Sequence, residues 1–295
     1  MSDLIEEIKQ LKAERKAVIL AHNYVKAELQ DIADFTGDSL ELSIKAKNAG
    51  AGVIVFCGVR FMAETAKLLS PQSVVLLPNP DAGCPMADMA AADKVAAYTI
   101  IVAYVNTTAA VKAHVDICCT SGNAEKIIAS LPANKEVLFL PDRNLGGNLN
   151  RKLGRNMQLW PGFCPTHDRV TPAAIAAARA EHPGVKVLVH PECDPEVVAL
   201  ADVALSTGGI LRHVRESSDK AFIIGTEIGI LHRLRQENPG REFFPLQPEM
   251  TCPNMKKITL ENVRDCLKDM APQIELPPEI MASAVKPIER MLALS

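Results

Sequence analysis

With 295 residues, 48% of them apolar and only 4% aromatic, the chain fills a globular core with Ala, Val, Leu and Ile, in one large domain or a few small ones. A net charge of −3 without a long basic run gives no nucleic-acid surface. No apolar stretch approaches the ~18–20 residues of a membrane span, and the charged N-terminus MSDLIEEIKQLKAERKAV lacks a signal-peptide core, so a soluble, cytoplasmic protein is expected.

Residues 4–16 predict a helix that packs on the segments after it. AVILAH (17–22) is an unbroken apolar run, as expected of a parallel strand buried on both faces. A polar, helix-like stretch and a short segment lead to Ser39, where the helix SLELSIKAKNAG starts, closed by Gly50 and Gly52. GVIVFCG (52–58) reads as a second buried strand, FMAETAKLLS as an amphipathic helix, and SVVLLP (73–78) as a strand running into the turn NPDAGCP. The pattern returns in TIIVAY, VDICCTS, NAEKIIAS, EVLFLP and NMQLWPGFCP, and again in VKVLVHPE, ADVALSTGG, AFIIGTEIG and EFFPLQPEMTCP. Alternating strands and helices predict an α/β fold of three small parallel-sheet units with right-handed crossovers, spanning 1–86, 87–168 and 169–271. Helices follow each Cys-Pro pair (MADMAAADKV, TPAAIAAARAEH and TLENVRDCLKDM), and the Pro-rich, then helical segment 272–295 packs back on the body.

The repeat carries chemistry. Cys84-Pro85, Cys164-Pro165 and Cys252-Pro253 stand 80 and 88 residues apart. Three apolar runs end at His22, Tyr104 and His190, which precede those cysteines by 62, 60 and 62 residues. Two positions further on lie Tyr24, Asn106 and Glu192; seventeen further on lie the hydroxyls Ser39, Ser121 and Thr207. Thiolates from three units meet only if the units surround one point, so a pseudo-threefold site is expected. Ligands of open α/β sheets bind beyond the carboxyl ends of the strands, where free helix N–H groups favour anions.

Eight cysteines in a chain of this kind are expected to be reduced. Three of them at one point suit Zn²⁺ completed by a further ligand or a water, or a [4Fe–4S] cluster with one open iron. The wide, symmetric spacing, with no CxxC pair among the three, favours a cluster at a unit junction. Cys57, Cys118 and Cys266 read as packing residues, Cys119 as near the Ser121 turn, and Cys193 as lying behind the site. His22 and His190 occupy equivalent positions, which favours function over a capped structural role. Glu192 suits a general base if its environment raises its pKa. Ser39, Ser121 and Thr207 suit helix capping as well as anion binding. KLGR (152–155) and HRLRQ (232–236) read as solvated helix faces, and the glycine pairs 146–147 and 208–209 as loop glycines.

On AHNY (21–24), GDS (37–39), GVRFMAETAK (58–67), AGCPMAD (82–88), AYVNTTAAVKA (103–113), CTSGNA (119–124), WPGFCPTH (160–167), HPEC (190–193), STGG (206–209), GTEIG (225–229) and CPNMKKIT (252–259), nearly the whole chain resembles the quinolinate synthases, iron–sulfur enzymes of bacterial NAD biosynthesis. The resemblance implies a [4Fe–4S] cluster on Cys84, Cys164 and Cys252 with one iron uncovered. It implies condensation of iminosuccinate with dihydroxyacetone phosphate to quinolinate, phosphate and water, and a possible partner in the enzyme that supplies iminosuccinate. Substrate contacts map to His22, Ser39, Tyr104, Val105, Asn106, Ser121, His190, Pro191, Glu192 and Thr207, and proton transfer to Tyr24, His190 and Glu192. The rival readings are the radical-forming transferase of diphthamide synthesis, against which HPEC and YVN argue, and a non-enzymatic α/β binding protein with structural zinc.

Overall fold

Three four-stranded, wholly parallel sheets follow one another along the chain. The structure, a computed structural model, describes residues 2–94 and 100–295; Val95 of the expected helix MADMAAADKV and Thr99 of TIIVAY lie outside the described residues. The first sheet holds β1 (Ala17–His22), β2 (Phe35–Gly37), β3 (Val53–Cys57) and β4 (Val74–Leu76). The second holds β5 (Ile100–Tyr104), β6 (Ile117–Cys119), β7 (Val137–Leu140) and β8 (Gln158–Leu159). The third holds β9 (Lys186–Val189), β10 (Val203–Ala204), β11 (Ala221–Gly225) and β12 (Glu242–Pro245). Each has the same order, second-first-third-fourth, so the expected threefold α/β repeat is present.

The central strands are apolar because helices cover both of their faces: Ile19, Leu20, Val55, Phe139, Val187 and Leu188 are fully buried. A matched aspartate sets each crossover. Asp34, Asp116 and Asp202 accept the amides of Ile19 (2.8 Å), Ile101 (2.8 Å) and Val187 (2.7 Å). Their own amides donate to the carbonyls of the same three residues at 2.9, 3.0 and 2.9 Å. A bond to an ionised acceptor contributes about 1.5–3 kcal/mol, enough to hold the edge strand in register.

A second matched bond folds each Cys-Pro turn onto the carboxyl end of its own sheet. Arg60, Arg143 and Ile228, each three residues past the third strand, donate their amides to the carbonyls of Ala82 (2.8 Å), Gly162 (2.8 Å) and Met250 (2.9 Å). Each of these acceptors lies two residues before a cysteine.

The first two units share one apolar core, and the third has a separate cluster on each face of its sheet. The C-terminal helix Pro278–Ala293 buries Ala284, Ile288 and Met291 and packs against β6. Before it, Gln273 bridges to Leu76 and shields the edge of the first sheet.

Contacts between units correct two readings. Gly146-Gly147 and Gly208-Gly209 are helical, in Arg143–Leu153 and Thr207–Glu216, not loop glycines. A Cβ at Gly208 would stand 2.6 Å from Asp38 Oδ2, so glycine permits the first and third units to approach. Arg233 of HRLRQ is no mere solvated face. Its Nη1 donates to Asn23 Oδ1 (3.1 Å) and the Thr36 carbonyl (2.8 Å) of the first unit. Among the described residues no helix is long and apolar enough to cross a membrane.

Candidate active site

The carboxyl ends of the three sheets face one cavity. Strand geometry aims the matched residues inward: His22 and Tyr104 end β1 and β5, and His190 follows β9 directly. Cys84, Cys164 and Cys252, all free thiols, line the same space. Ser39 and Thr207 line it as the first residues of the helices Ser39–Asn48 and Thr207–Glu216. They do not cap those helices; their neighbours Asp38 and Ser206 do. Asp38 accepts the Leu40 and Glu41 amides on Oδ1 and the Gly208 amide on Oδ2. Ser121 stands three residues before the helix Ala124–Ser130 and meets His190 Nε2 at 3.2 Å.

One hydrogen-bond chain runs through the three units. Tyr104 donates its hydroxyl to Glu192 Oε1 at 2.6 Å. Glu192 Oε2 lies 2.8 Å from His167 Nδ1, which is also 3.3 Å from Cys164 Sγ. His167 Nε2 meets Thr226 Oγ1 at 2.9 Å, Thr226 Oγ1 meets the Tyr24 hydroxyl at 2.6 Å, and Thr207 donates to Tyr24 at 3.1 Å. The directions follow from one assignment. If His167 Nδ1–H donates to Glu192, Nε2 accepts from Thr226. Tyr24 then donates to Thr226, and every proton in the chain points toward the carboxylate.

Protonation states follow from the surroundings. Burial, reinforced by the neighbouring His190, pushes His22 down to about 3. Burial likewise pushes His190 down to about 3 against the pull of Glu192. Both rings are therefore neutral. Their Nδ1 atoms accept the Tyr24 and Glu192 amides (3.2 and 3.3 Å), which leaves Nε2 as the donor in each. Burial works against an ionised Glu192, but the donors on His167 and Tyr104 outweigh it and hold the carboxyl below its usual range. The condition set for Glu192 as a base, a raised pKa, is therefore not met, because two hydrogen-bond donors hold the carboxylate ionised. Burial raises Tyr24 and Tyr104 well above ordinary phenols and lifts the Cys84 thiol to about 12.

Two buried carboxylates position cysteines. Asp142 Oδ2 accepts the Cys164 amide and Glu227 Oε1 the Cys252 amide, both at 3.1 Å. Each is the second residue past the third strand of its sheet, where the first unit has Val59. Glu227 also pairs with Lys256 at 2.9 Å, and Lys256 donates to the Tyr24 carbonyl.

Comparison with known proteins places this geometry. The family model described as Quinolinate synthetase A protein matches residues 6–293. A quinolinate synthase of Geobacter metallireducens is 50% identical over 98% of this chain and 97% of its own. Those of Desulforudis audaxviator (50%) and Methanoregula boonei (52%) align over 99% of this chain and 98% of theirs. The chain belongs to the quinolinate synthase family. It is an enzyme of that family, and it acts on small molecules.

Of the site residues expected for a quinolinate synthase, all but Val105 and Pro191 line the cavity. Those two turn their carbonyls away, to Lys112 and Asn148. Cys119 and Cys193 are wholly buried behind it. The sequence reading missed His167, Thr226 and Glu227. The signal for His167 was its place three residues after Cys164, but the equivalent positions after Cys84 and Cys252 are Ala87 and Met255, so the repeat pattern concealed it. Thr226 stood in GTEIG without a repeat partner of its kind, and Glu227 matches only Asp142, the first unit having Val59 there.

Proposed function

We propose that the chain condenses iminosuccinate with dihydroxyacetone phosphate to quinolinate, phosphate and two waters, with a [4Fe–4S] cluster on Cys84, Cys164 and Cys252. The observation that carries this reading is that three thiols from three units line the cavity that also holds the Glu192–His167–Tyr24 chain. The donor set fits the cluster. Cys84, Cys164 and Cys252 are free thiols from three units, and among the described residues no fourth cysteine lines the cavity, which suits a cluster that keeps one iron free of protein ligands. When bound, the cluster would supply a Lewis-acidic iron free of protein ligands, able to polarise a substrate nitrogen or oxygen.

The remaining chemistry is proton movement and charge recognition. Glu192, ionised and facing the cavity, is the carboxylate placed to take a proton from a substrate carbon, and the two donors that keep it ionised weaken it as a base until the substrate displaces one of them. Glu192 can hand that proton on to a leaving hydroxyl, and the chain, whose protons all point toward the carboxylate, is oriented to carry a replacement proton from Tyr24 through Thr226 and His167 to Glu192. The neutral His22 and His190 keep N–H donors for substrate carboxylates. Asn106 Oδ1 is buried with no partner and offers an acceptor to a substrate N–H or O–H. Ser39 and Thr207, at two helix N-termini, suit the phosphate.

The test is anaerobic purification, iron and sulfide analysis, and quinolinate formation from the two substrates. About four irons per chain with quinolinate produced supports the reading. One zinc without iron, or cleavage of S-adenosylmethionine, overturns it in favour of the binding-protein or radical-transferase alternatives.

A further inference from the structure

The residues that the sequence aligns as Tyr24, Asn106 and Glu192 share a support that is not visible in their own identities. In the first unit, Gln30 Nε2 donates to the carbonyls of Asn23 (3.1 Å) and Val25 (3.0 Å), the residues on either side of Tyr24. In the second, Lys112 Nζ donates to the carbonyls of Val105 (2.7 Å) and Thr107, on either side of Asn106. In the third, Asn148 Nδ2 donates to the carbonyls of Pro191 (2.9 Å) and Cys193 (3.0 Å), on either side of Glu192. A single nitrogen thus pinches the peptide before and the peptide after each matched residue.

Gln30 and Lys112 stand at the same repeat position, eight residues past His22 and Tyr104. The equivalent of the third unit is Val198, which has no donor, and Asn148 reaches in from the second unit instead. Three unlike side chains therefore do one job, which points to the job rather than to shared ancestry of the donor. Gln30 Oε1 and Asn148 Oδ1 are buried without a partner, so these amides are held for their nitrogens. Lys112 is a wholly buried cation, and burial pushes it down to about 8. Such a group destabilises a fold unless its hydrogen bonds are needed. None of the three donors lines the cavity.

We propose that Gln30, Lys112 and Asn148 are equivalent positioning residues that aim Tyr24, Asn106 and Glu192 at the substrates. Opening a clamp frees the peptide on both sides of a reacting side chain, and a displacement of ~1 Å costs up to about 100-fold in rate. The proposal rests on the proposed function insofar as those three residues face the substrates.

The experiment compares Lys112→Gln, Lys112→Met, Asn148→Leu and wild type in the iron-loaded full chain, with turnover expressed per cluster. The first unit shows that a glutamine at this repeat position reaches the same two carbonyls. Lys112→Gln should therefore keep turnover within about threefold, while Lys112→Met loses about 10–100-fold. Asn148→Leu should lower kcat by a similar factor with KM within about threefold, because Glu192 moves protons while other groups hold the substrates. Amide hydrogen exchange in 104–107 should quicken in Lys112→Met and not in Lys112→Gln, a readout that needs no substrate. A purely structural role would lower the yield of loaded protein and leave turnover per cluster unchanged; that result overturns the proposal. So does equal loss of turnover in Lys112→Gln and Lys112→Met. If Lys112→Met fails to fold, Lys112→Gln decides alone: near-normal turnover supports the clamp and a deep loss refutes it. Wild type that makes no quinolinate would sink the functional reading, and hydrogen exchange would still judge the clamp.

Discussion

Replacing Glu192 with Gln isolates its charge from its shape. The carboxylate accepts from Tyr104 at 2.6 Å and faces His167 Nδ1 at 2.8 Å. An amide keeps the first bond on its oxygen. Its NH₂ then faces His167 Nδ1, and a tautomer change lets that nitrogen accept while Nε2–H donates to Thr226, 2.9 Å away. Two charge-assisted bonds of about 1.5–3 kcal/mol become neutral bonds of about 0.5–1.5 kcal/mol. Relief of a buried charge offsets that loss, so stability should change by no more than about 1–2 kcal/mol. The catalytic loss is larger. Gln accepts no proton, and turnover should fall about 10²–10⁴-fold, or about 3–5 kcal/mol of barrier. The assay is quinolinate formation and the cluster spectrum of the same anaerobic sample, with a melting curve beside it. Near-normal turnover with an intact cluster would remove Glu192 as the base and leave His190 or Tyr24 in its place.

Cys84→Ser, Cys164→Ser and Cys252→Ser should each lose the brown cluster and activity, whereas Cys57→Ala and Cys266→Ala should keep both; iron analysis of the five variants decides, and a triple-Ser protein with a stable cluster would refute the ligand assignment. Aeration should inactivate the enzyme and leave a three-iron species, because an iron without a protein ligand is open to oxidants; unchanged spectra and activity in air would contradict it. Asp142→Ala removes the acceptor of the Cys164 and Leu145 amides, so stability should fall about 1–3 kcal/mol and a chelator should strip iron faster than from wild type. Gly208→Ala sets a methyl 2.6 Å from Asp38 Oδ2 and should cost about 1–3 kcal/mol in a denaturant titration; an unchanged midpoint would mean that the two units can separate slightly at no cost.

Much of the fold was legible because buried parallel strands leave an unmistakable mark. AVILAH, TIIVAY and VKVLVH are apolar on both faces, and their spacing to the three Cys-Pro pairs exposed the repeat. The aspartates Asp34, Asp116 and Asp202 also repeat, twelve residues past His22, Tyr104 and His190, but an isolated acidic residue before a short strand looks like a solvated loop. Glycines at 208–209 looked like loop breakers because helix propensity penalises them. Close packing against Asp38 outweighed that penalty.

The site was legible where chemistry and position repeat together, and hidden where only geometry repeats. Cysteines and strand-end side chains recur as residue types, so aligning the three units found them. His167 has no counterpart of its kind, yet it joins Glu192 to Tyr24 and stands against Cys164. The clamps are harder still to read. What recurs there is a pair of backbone carbonyls, common to every residue, while the donors are an amide, an ammonium and an amide borrowed from a neighbouring unit. A carbonyl pair accepts from any nitrogen at the right distance, so what matters is where the nitrogen sits and not which residue carries it. Tyr24, Asn106 and Glu192 can therefore be held alike by unlike donors, and a threefold scaffold can present three different side chains to one cavity.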